Sequence, residues 1–516
     1  MQSVTKRITA ALAACLLTFS CLAPASAAAE ENPAKRFGDV NEDQTVDVSD
    51  AVLLARFTAE DTEVVISESG KKLADVNQDG GITSDDTIWI LQYIAKLRDT
   101  LGVKAQEPQQ NSPAVNLTKD IKADDVAGKK ADQAFISAQL GFTANLLRET
   151  DSEVSKKREE NEPPKNLLIS PLSVSLALGM TANGAKGETL AQMEKTLAGS
   201  LGLDNLNAYY ADYVRNLPST DGAEVHIANS IWARDDQNAL IVPESFLKAT
   251  KSYYNADYYK APFDRTTVDD INGWVNENTK EMIPKLIDII GPNDLMYLIN
   301  AVAFEANWAD PYEEYQVHED DFTLSDGKTV KADFMFDEMH SYLDDGKATG
   351  FIKEYKDWNY SFAAVLPNEG ISVSEYIREM DAESLQKLLN NEKYGTAYTW
   401  LPKFSFDFST SLKPALQAMG MELPFTEDAA DFTGLNEIPD TYISDVLHKT
   451  FIEVDEGGTK AAAVTAVIMA GNAAAPDPEE PKEIRLDRPF IFMILDNSTN
   501  LPVFIGYVMD PTQEPA

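Results

Sequence analysis

The chain has 516 residues, with 84 acidic against 44 basic side chains and a formal charge of −40. That length exceeds one ordinary core and allows two to four units, and the charge repels nucleic acid phosphates and anionic lipid. No apolar run beyond the N-terminus reaches the roughly 18 residues needed to span a bilayer, so neither nucleic acid nor a membrane span is expected.

Residues 1–27 carry Lys6 and Arg7, an apolar run over residues 8–19, and then Ala25-Ser26-Ala27. This is the pattern of a secretory signal with a small-residue cleavage site. Leu12-Ala13-Ala14-Cys15 also resembles a lipobox, although apolar sequence continues past Cys15. Both cysteines, Cys15 and Cys21, fall in this segment, so the mature chain, starting near Ala28, is expected to be exported with neither disulfide nor thiol.

Residues 39–50 are then matched by residues 75–86. Calcium takes six to eight oxygens, and a twelve-residue loop supplies them from side chains at positions 1, 3, 5 and 12 and a carbonyl at 7. Those positions hold Asp39, Asn41, Asp43 and Asp50 with the Thr45 carbonyl, and Asp75, Asn77, Asp79 and Asp86 with the Gly81 carbonyl. Two calcium ions are expected. Gln44 stands where such a loop turns on glycine, which weakens the first site, and Asp47 at position 9 is placed to hold a water on the ion. Apolar residues after each loop have helical spacing: Val52, Leu53 and Phe57, then Ile88, Leu91 and Ile94.

Residues 104–132 are rich in Gln, Pro, Asp, Lys and Ala and read as a flexible tether. A polar stretch over residues 148–164 reads as a surface loop. Near the C-terminus, residues 455–467 are nearly without bulk. Thr459, Ala461, Ala463, Thr465 and Val467 alternate with Lys460, Ala462, Val464 and Ala466, so the one cation falls on the outer face of a strand. With no proline and no inward charge, this segment is suited to the middle of a sheet. Neither a His-Glu-x-x-His metal motif nor a nucleophile elbow is present, and His226, His318 and His340 show no ligand spacing, so an enzyme is not expected.

Glu456, Gly458, Thr459 and the alanines that follow resemble the hinge of the serpins. Residues 166–173 and 184–189, Ile271-Asn272-Gly273-Trp274-Val275 with Thr279, Leu298-Ile299-Asn300-Ala301 with Trp308, Leu401-Pro402-Lys403-Phe404, Asp487-Arg488-Pro489-Phe490 and Phe504-Ile505-Gly506 resemble serpin blocks in family order, over roughly residues 133–511. The paired loop-helix repeats, without a leading helix, resemble a type I dockerin. The resemblance implies an α+β serpin fold of three β-sheets, about nine helices and an exposed reactive loop, with a small calcium-binding dockerin. Expected boundaries are a signal at 1–27, dockerin at 36–101, linker at 102–132 and serpin at 133–516.

It further implies a secreted, extracellular serine protease inhibitor that acts as a suicide substrate by loop insertion. The dockerin would plug it into a cohesin of a cellulosomal scaffoldin, the chain being otherwise monomeric. Implied hinge residues are Glu456, Gly458, Thr459, Ala461, Ala462 and Ala463, and implied shutter residues are Ser170, Ser173, Asn300 and His448. Counting 16 residues on from Glu456 places the cut between Asn472 and Ala473, but the following stretch is about six residues longer than usual in the family, so residues 469–475 all remain candidates. Their small apolar character suits a subtilisin-like or elastase-like protease. The alternative is a non-inhibitory serpin serving as a scaffold-bound binding module; the small hinge residues favour inhibition.

Overall fold

The computed structural model describes residues 37–59, 61, 64–78, 81–94, 101, 114–158, 163–217, 222–235, 240–436, 441–459 and 480–515. The chain divides into two units, residues 1–111 and 112–516.

In the small unit each acidic loop runs into a helix, α1 (Val48–Thr58) and α3 (Ser84–Ile94), with a short α2 (Glu68–Ala74) between them. A capping box starts α1, with Asp47 accepting from the Ser49 N–H and the Asp50 side chain reaching back. The core is Val40, Ala51, Leu54, Ile66, Ala74, Val76 and Ile90. The buried stripe is therefore not the one expected from spacing: Val52, Leu53 and Phe57 are half-buried, and Ile88 and Leu91 are exposed. Both faces of these helices carry apolar residues, and spacing alone does not say which one meets the partner helix.

The large unit holds nine helices among its described residues: α4 (Gln133–Lys157), α5 (Pro171–Ala182), α6 (Gly187–Ala198), α7 (Leu203–Asn216), α8 (Glu244–Tyr254), α9 (Arg265–Asn278), α10 (Val373–Glu379), α11 (Ala382–Asn390) and α12 (Lys413–Ala418). A seven-stranded sheet runs in the order β1 (Val115–Asn116), β4 (Asp257–Ala261), β3 (Ala223–Arg234), β5 (Met296–Asn307), β13 (Gly458–Thr459), β12 (Asp445–Val454) and β11 (Phe404–Ser411). A nine-stranded sheet runs β14 (Lys482–Arg485), β10 (Glu392–Pro402), β7 (Thr329–Asp344), β8 (Ala348–Glu354), β9 (Tyr360–Pro367), β15 (Phe490–Asp496), β16 (Leu501–Val508) and β2 (Leu167–Ile169), with β6 (Val317–Thr323) paired to β7. The expected third sheet is not separate. β7 is 16 residues long and pairs with β6 and β10 along its length and with β8 at its end, joining two sheets into one. β15 and β16 are buried at every position and form the floor of the core.

Two further expectations fail on packing. α4 continues to Lys157 and takes in the first ten residues of the supposed 148–164 loop, because Thr150 and Asp151 stay buried against the body. The second half of the supposed tether is a strap on the large unit. Val115 and Asn116 pair with Lys260 and Tyr259 on the sheet edge, and the Leu117 N–H donates to the Tyr258 carbonyl at 2.8 Å. Thr118 is buried, with its hydroxyl donating to Asn116 Oδ1 at 2.7 Å. Lys129 N–H donates to the Ala208 carbonyl, and Asp132 ends the strap by capping α4. Composition reports the polarity of this segment but not the unpaired edge of β4 waiting for it.

Candidate functional site

The chain leaves β12 at Val454 and turns at once. The Asp455 carboxylate accepts from the Gly457 and Gly458 N–H groups at 2.8 and 3.1 Å, and the Asp455 N–H donates to the Gly458 carbonyl. The returning strand, β13, enters between β12 and β5, with Thr459 opposite Val454 on one side and Ala306 on the other. Gly458 has φ +155°, and a Cβ there would lie 2.1 Å from the Ala306 carbonyl oxygen, so only glycine fits. Thr459 is 1 % exposed and its hydroxyl bonds to Tyr355.

Aromatic side chains hold this turn from below. Trp308 donates its backbone N–H to the Gly457 carbonyl at 2.9 Å and its indole N–H to the Asp455 carbonyl at 2.8 Å, while Tyr312 N–H donates to the Glu456 carbonyl. Tyr355 stacks on Trp308 at 4.5 Å. Lys353 lies 4.2 Å from the Tyr312 ring and pairs with Asp337 at 2.6 Å. Glu456 pairs with Lys403 at 3.0 Å; its own backbone N–H and then Lys403 hold its carboxyl below the usual range.

Below Thr459 the seam between β5 and β12 is closed, with Tyr297–Val302 paired in parallel to Asp445–Thr450. Three of the four expected shutter side chains and one unexpected one meet here. His448 lies opposite Asn300, and Asn300 lies opposite Asn229 on β3. The Ser170 backbone N–H donates to His448 Nε2 at 3.1 Å, so Nε2 is bare and Nδ1–H donates to Asn300 Oδ1 at 2.7 Å. Asn300 Nδ2 then donates to Asn229 Oδ1 at 2.6 Å and to the Ser173 hydroxyl. Burial lowers the His448 pKa to about 3. Ser170 contributes its main chain only, since its buried hydroxyl has no partner among the described residues. Asn229 was missed by sequence reasoning, although it breaks the inward alternation Val225, Ile227, Ile231.

In the first acidic loop, Asp50 is fully buried and accepts from the Val40, Asn41 and Asp47 N–H groups at 2.7, 3.0 and 3.0 Å. Asp86 does the same with Val76, Asn77 and Thr83 at 2.9, 3.4 and 2.9 Å, so the two loops repeat in geometry as well as sequence. Burial pushes both carboxyls up. Asp39 Oδ1 is buried with no hydrogen-bond partner among the described residues. An all-oxygen donor set around an orphaned buried carboxylate oxygen fits calcium. Asp43 is turned toward Thr45 and Asn41, and among the described residues no three His, Cys, Asp or Glu side chains converge in ligating geometry. Gln44 has φ +76°, the left-handed turn expected of glycine. Asp79 and the hinge and reactive-bond residues Ala461, Ala462, Ala463, Asn472 and Ala473 lie outside the described residues.

Residues 141–511 match the family model for serpin, serine protease inhibitor. The chain belongs to the serpin family. Residues 37–95 match the dockerin type I domain, placing a dockerin ahead of the serpin. This serpin is 44% identical to the thermophilic serpin tengpin in its native state, over 77% of this chain and 100% of that one, with a TM-score of 0.71. Against latent tengpin the identity is 41%, over 74% and 99% of the two chains, with a TM-score of 0.63. The leukocyte elastase inhibitor of Xenopus laevis is 30% identical over 371 residues, covering 69% of this serpin and 96% of that protein. Among the described residues no helix is long and apolar enough to cross a membrane.

Proposed function

We propose that this serpin is a secreted suicide-substrate inhibitor of a subtilisin-like or elastase-like serine protease, held at a cellulosome by its dockerin. The observation that carries the reading is the buried start of a strand at Thr459, aimed down a seam that a longer strand would fill. In this reading the protease serine attacks the carbonyl carbon of the reactive bond, Asn472 to Ala473, and the new amine end leaves with a proton. The freed loop then follows Thr459 between β5 and β12. Its small residues Ala461, Ala462 and Ala463 cost little to bury. Insertion adds ladder hydrogen bonds that the uncut chain cannot reach, so the native state is kinetically trapped.

Before that, the loop is restrained by the Asp455 turn and by Trp308 and Tyr355 above the seam, and by His448 and Asn300 within it. Calcium bound by Asp39, Asn41, Asp43, Asp50 and the Thr45 carbonyl, and by Asp75, Asn77, Asp79, Asp86 and the Gly81 carbonyl, would rigidify the loops that present the dockerin helices to a cohesin. Export through cleavage after Ala27 belongs to the same reading, as does a dockerin over residues 36–101. The elastase-inhibitor relative supports the protease class. A non-inhibitory scaffold module would have no need of a small, buried residue at Thr459.

The test is incubation of the mature chain with subtilisin and with an elastase, a denaturing gel, and sequencing of the released C-terminal fragment. A denaturant-stable band at the summed mass is expected, with the fragment starting at Ala473. Cleavage by both without that band would overturn inhibition of these proteases.

A further inference from the structure

The seven-stranded sheet ends on β11, whose outer edge has no strand partner among the described residues. Beside that edge lies a cavity of about 710 Å³, walled by the C-terminal half of α4, residues 163–166, residues 406–411 of β11, and the chain end after β16. Its size is that of a small-ligand site. One wall is firmly built: Asn166 donates to the Asp510 carbonyl at 2.8 Å, accepts from the Met509 and Asp510 N–H groups, and gives its own N–H to Gln513.

Asp151 lines this cavity and is 8 % exposed. Tyr507 and Ser374 both donate to Oδ1, at 3.0 and 3.1 Å, leaving Oδ2 with no hydrogen-bond partner among the described residues. Arg378 acts on the carboxyl through space without forming an ion pair, and burial pushes the carboxyl up. A largely buried carboxyl whose second oxygen still reaches solvent gains from a cation brought against it. The cavity's other acid on β11, Asp407, is already paired with Lys449 at 3.3 Å. The exposed part of the lining is of mixed charge: Lys157 and Arg158 take part in no ion pair among the described residues, and Glu514 is exposed there as well.

A buried acid, two exposed cations outside any ion pair among the described residues and an unpaired strand edge describe one kind of occupant. We propose that the cavity binds a short zwitterionic peptide. Its terminal ammonium meets Asp151 Oδ2, its main chain runs along β11 as an added strand, and its carboxylate reaches Lys157 and Arg158. Phe408, Met509 and Val154 supply apolar surface for its side chains. Free-ended short peptides are products of proteolysis, so the site takes a class of molecule abundant wherever a protease acts.

The test is calorimetric titration of the full chain with the tetrapeptide Ser-Val-Thr-Val, free at both ends, beside its N-acetylated and C-amidated forms. One-to-one binding is expected, weakened at least about tenfold by acetylation or by Asp151→Asn and several-fold by amidation. Ser409→Trp, at an exposed position on the cavity-lining strand, should abolish binding without touching the carboxyl, and it serves where Asp151→Asn fails to fold. A peptide entering the β5–β12 seam instead would bind all variants alike. Such equal binding, or no binding up to about 10 mM, overturns the proposal.

Discussion

His448 should make the seam acid-labile. Its Nε2 faces a backbone N–H donor and its ring is wholly buried, so protonation sets two donors face to face and strands a cation. The unfolded imidazole takes its proton near 6.5; the native one does so only near 3. Between those values the unfolded chain binds the extra proton, so the contribution to stability is complete above about 6.5 and falls as pH drops, levelling off near 3. At pH 5 the loss is about 2 kcal/mol, at ~1.36 kcal/mol per pH step. Because a trapped native state is read through rates, the assay is tryptophan-fluorescence unfolding in fixed urea at pH 7.5 and 5.0 for the native sequence and His448→Gln. If parting β5 from β12 hydrates the ring in the transition state, acid speeds unfolding of the native sequence about 30-fold more than that of the variant. Buried carboxyls such as Asp445 and Asp151 also titrate, but equally in both proteins. Equal acceleration would refute the reasoning.

Thr459→Arg puts an uncompensated charge at a position 1 % exposed. Because Thr459 already lies between β5 and β12 before the loop is cut, the charge weakens the native turn by about 3 kcal/mol and should expel it from the seam, seen as faster proteolysis around residues 455–459; cleavage at the native rate would refute the burial of this position. Gln44→Gly removes a left-handed non-glycine residue at φ +76° and should tighten calcium at the first loop about fivefold, for about 1 kcal/mol, as read by calorimetry; equal affinity would mean that the loop is unstrained when loaded. Thr118→Val deletes a buried hydroxyl that donates to Asn116 and accepts from the Tyr258 N–H at 3.2 Å. It should loosen the strap by about 1–3 kcal/mol, seen as faster proteolysis between residues 114 and 130, and cleavage at the native rate would show that the anchor lies elsewhere.

Much of the site was legible because its chemistry is contiguous. Each acidic loop carries its donors within twelve residues, so Asp39 to Asp50 and Asp75 to Asp86 declare themselves by spacing. The hinge is likewise local: Gly458 is forced by a carbonyl it nearly touches, and Thr459 by the lack of room beside it. The shutter was legible only in part. Ser173, Asn300 and His448 sit in recognisable blocks, whereas Asn229 stands in an otherwise ordinary strand and acquires its role only through register with Asn300.

The amino-acid sequence by itself determined the order of the two units and the oxygen-rich loops, since each follows from which side chains lie within a few residues of one another. Tertiary structure alone decided the rest: that residues 115–117 pair with an open sheet edge, that β7 fuses two sheets, that helix faces around Ala51 and Ile90 are the buried ones, and that Thr459 is already between β5 and β12. Each of those depends on a partner tens to hundreds of residues away, and hydrogen-bond edges and apolar faces are satisfied by whatever the fold brings to them, which local periodicity does not encode.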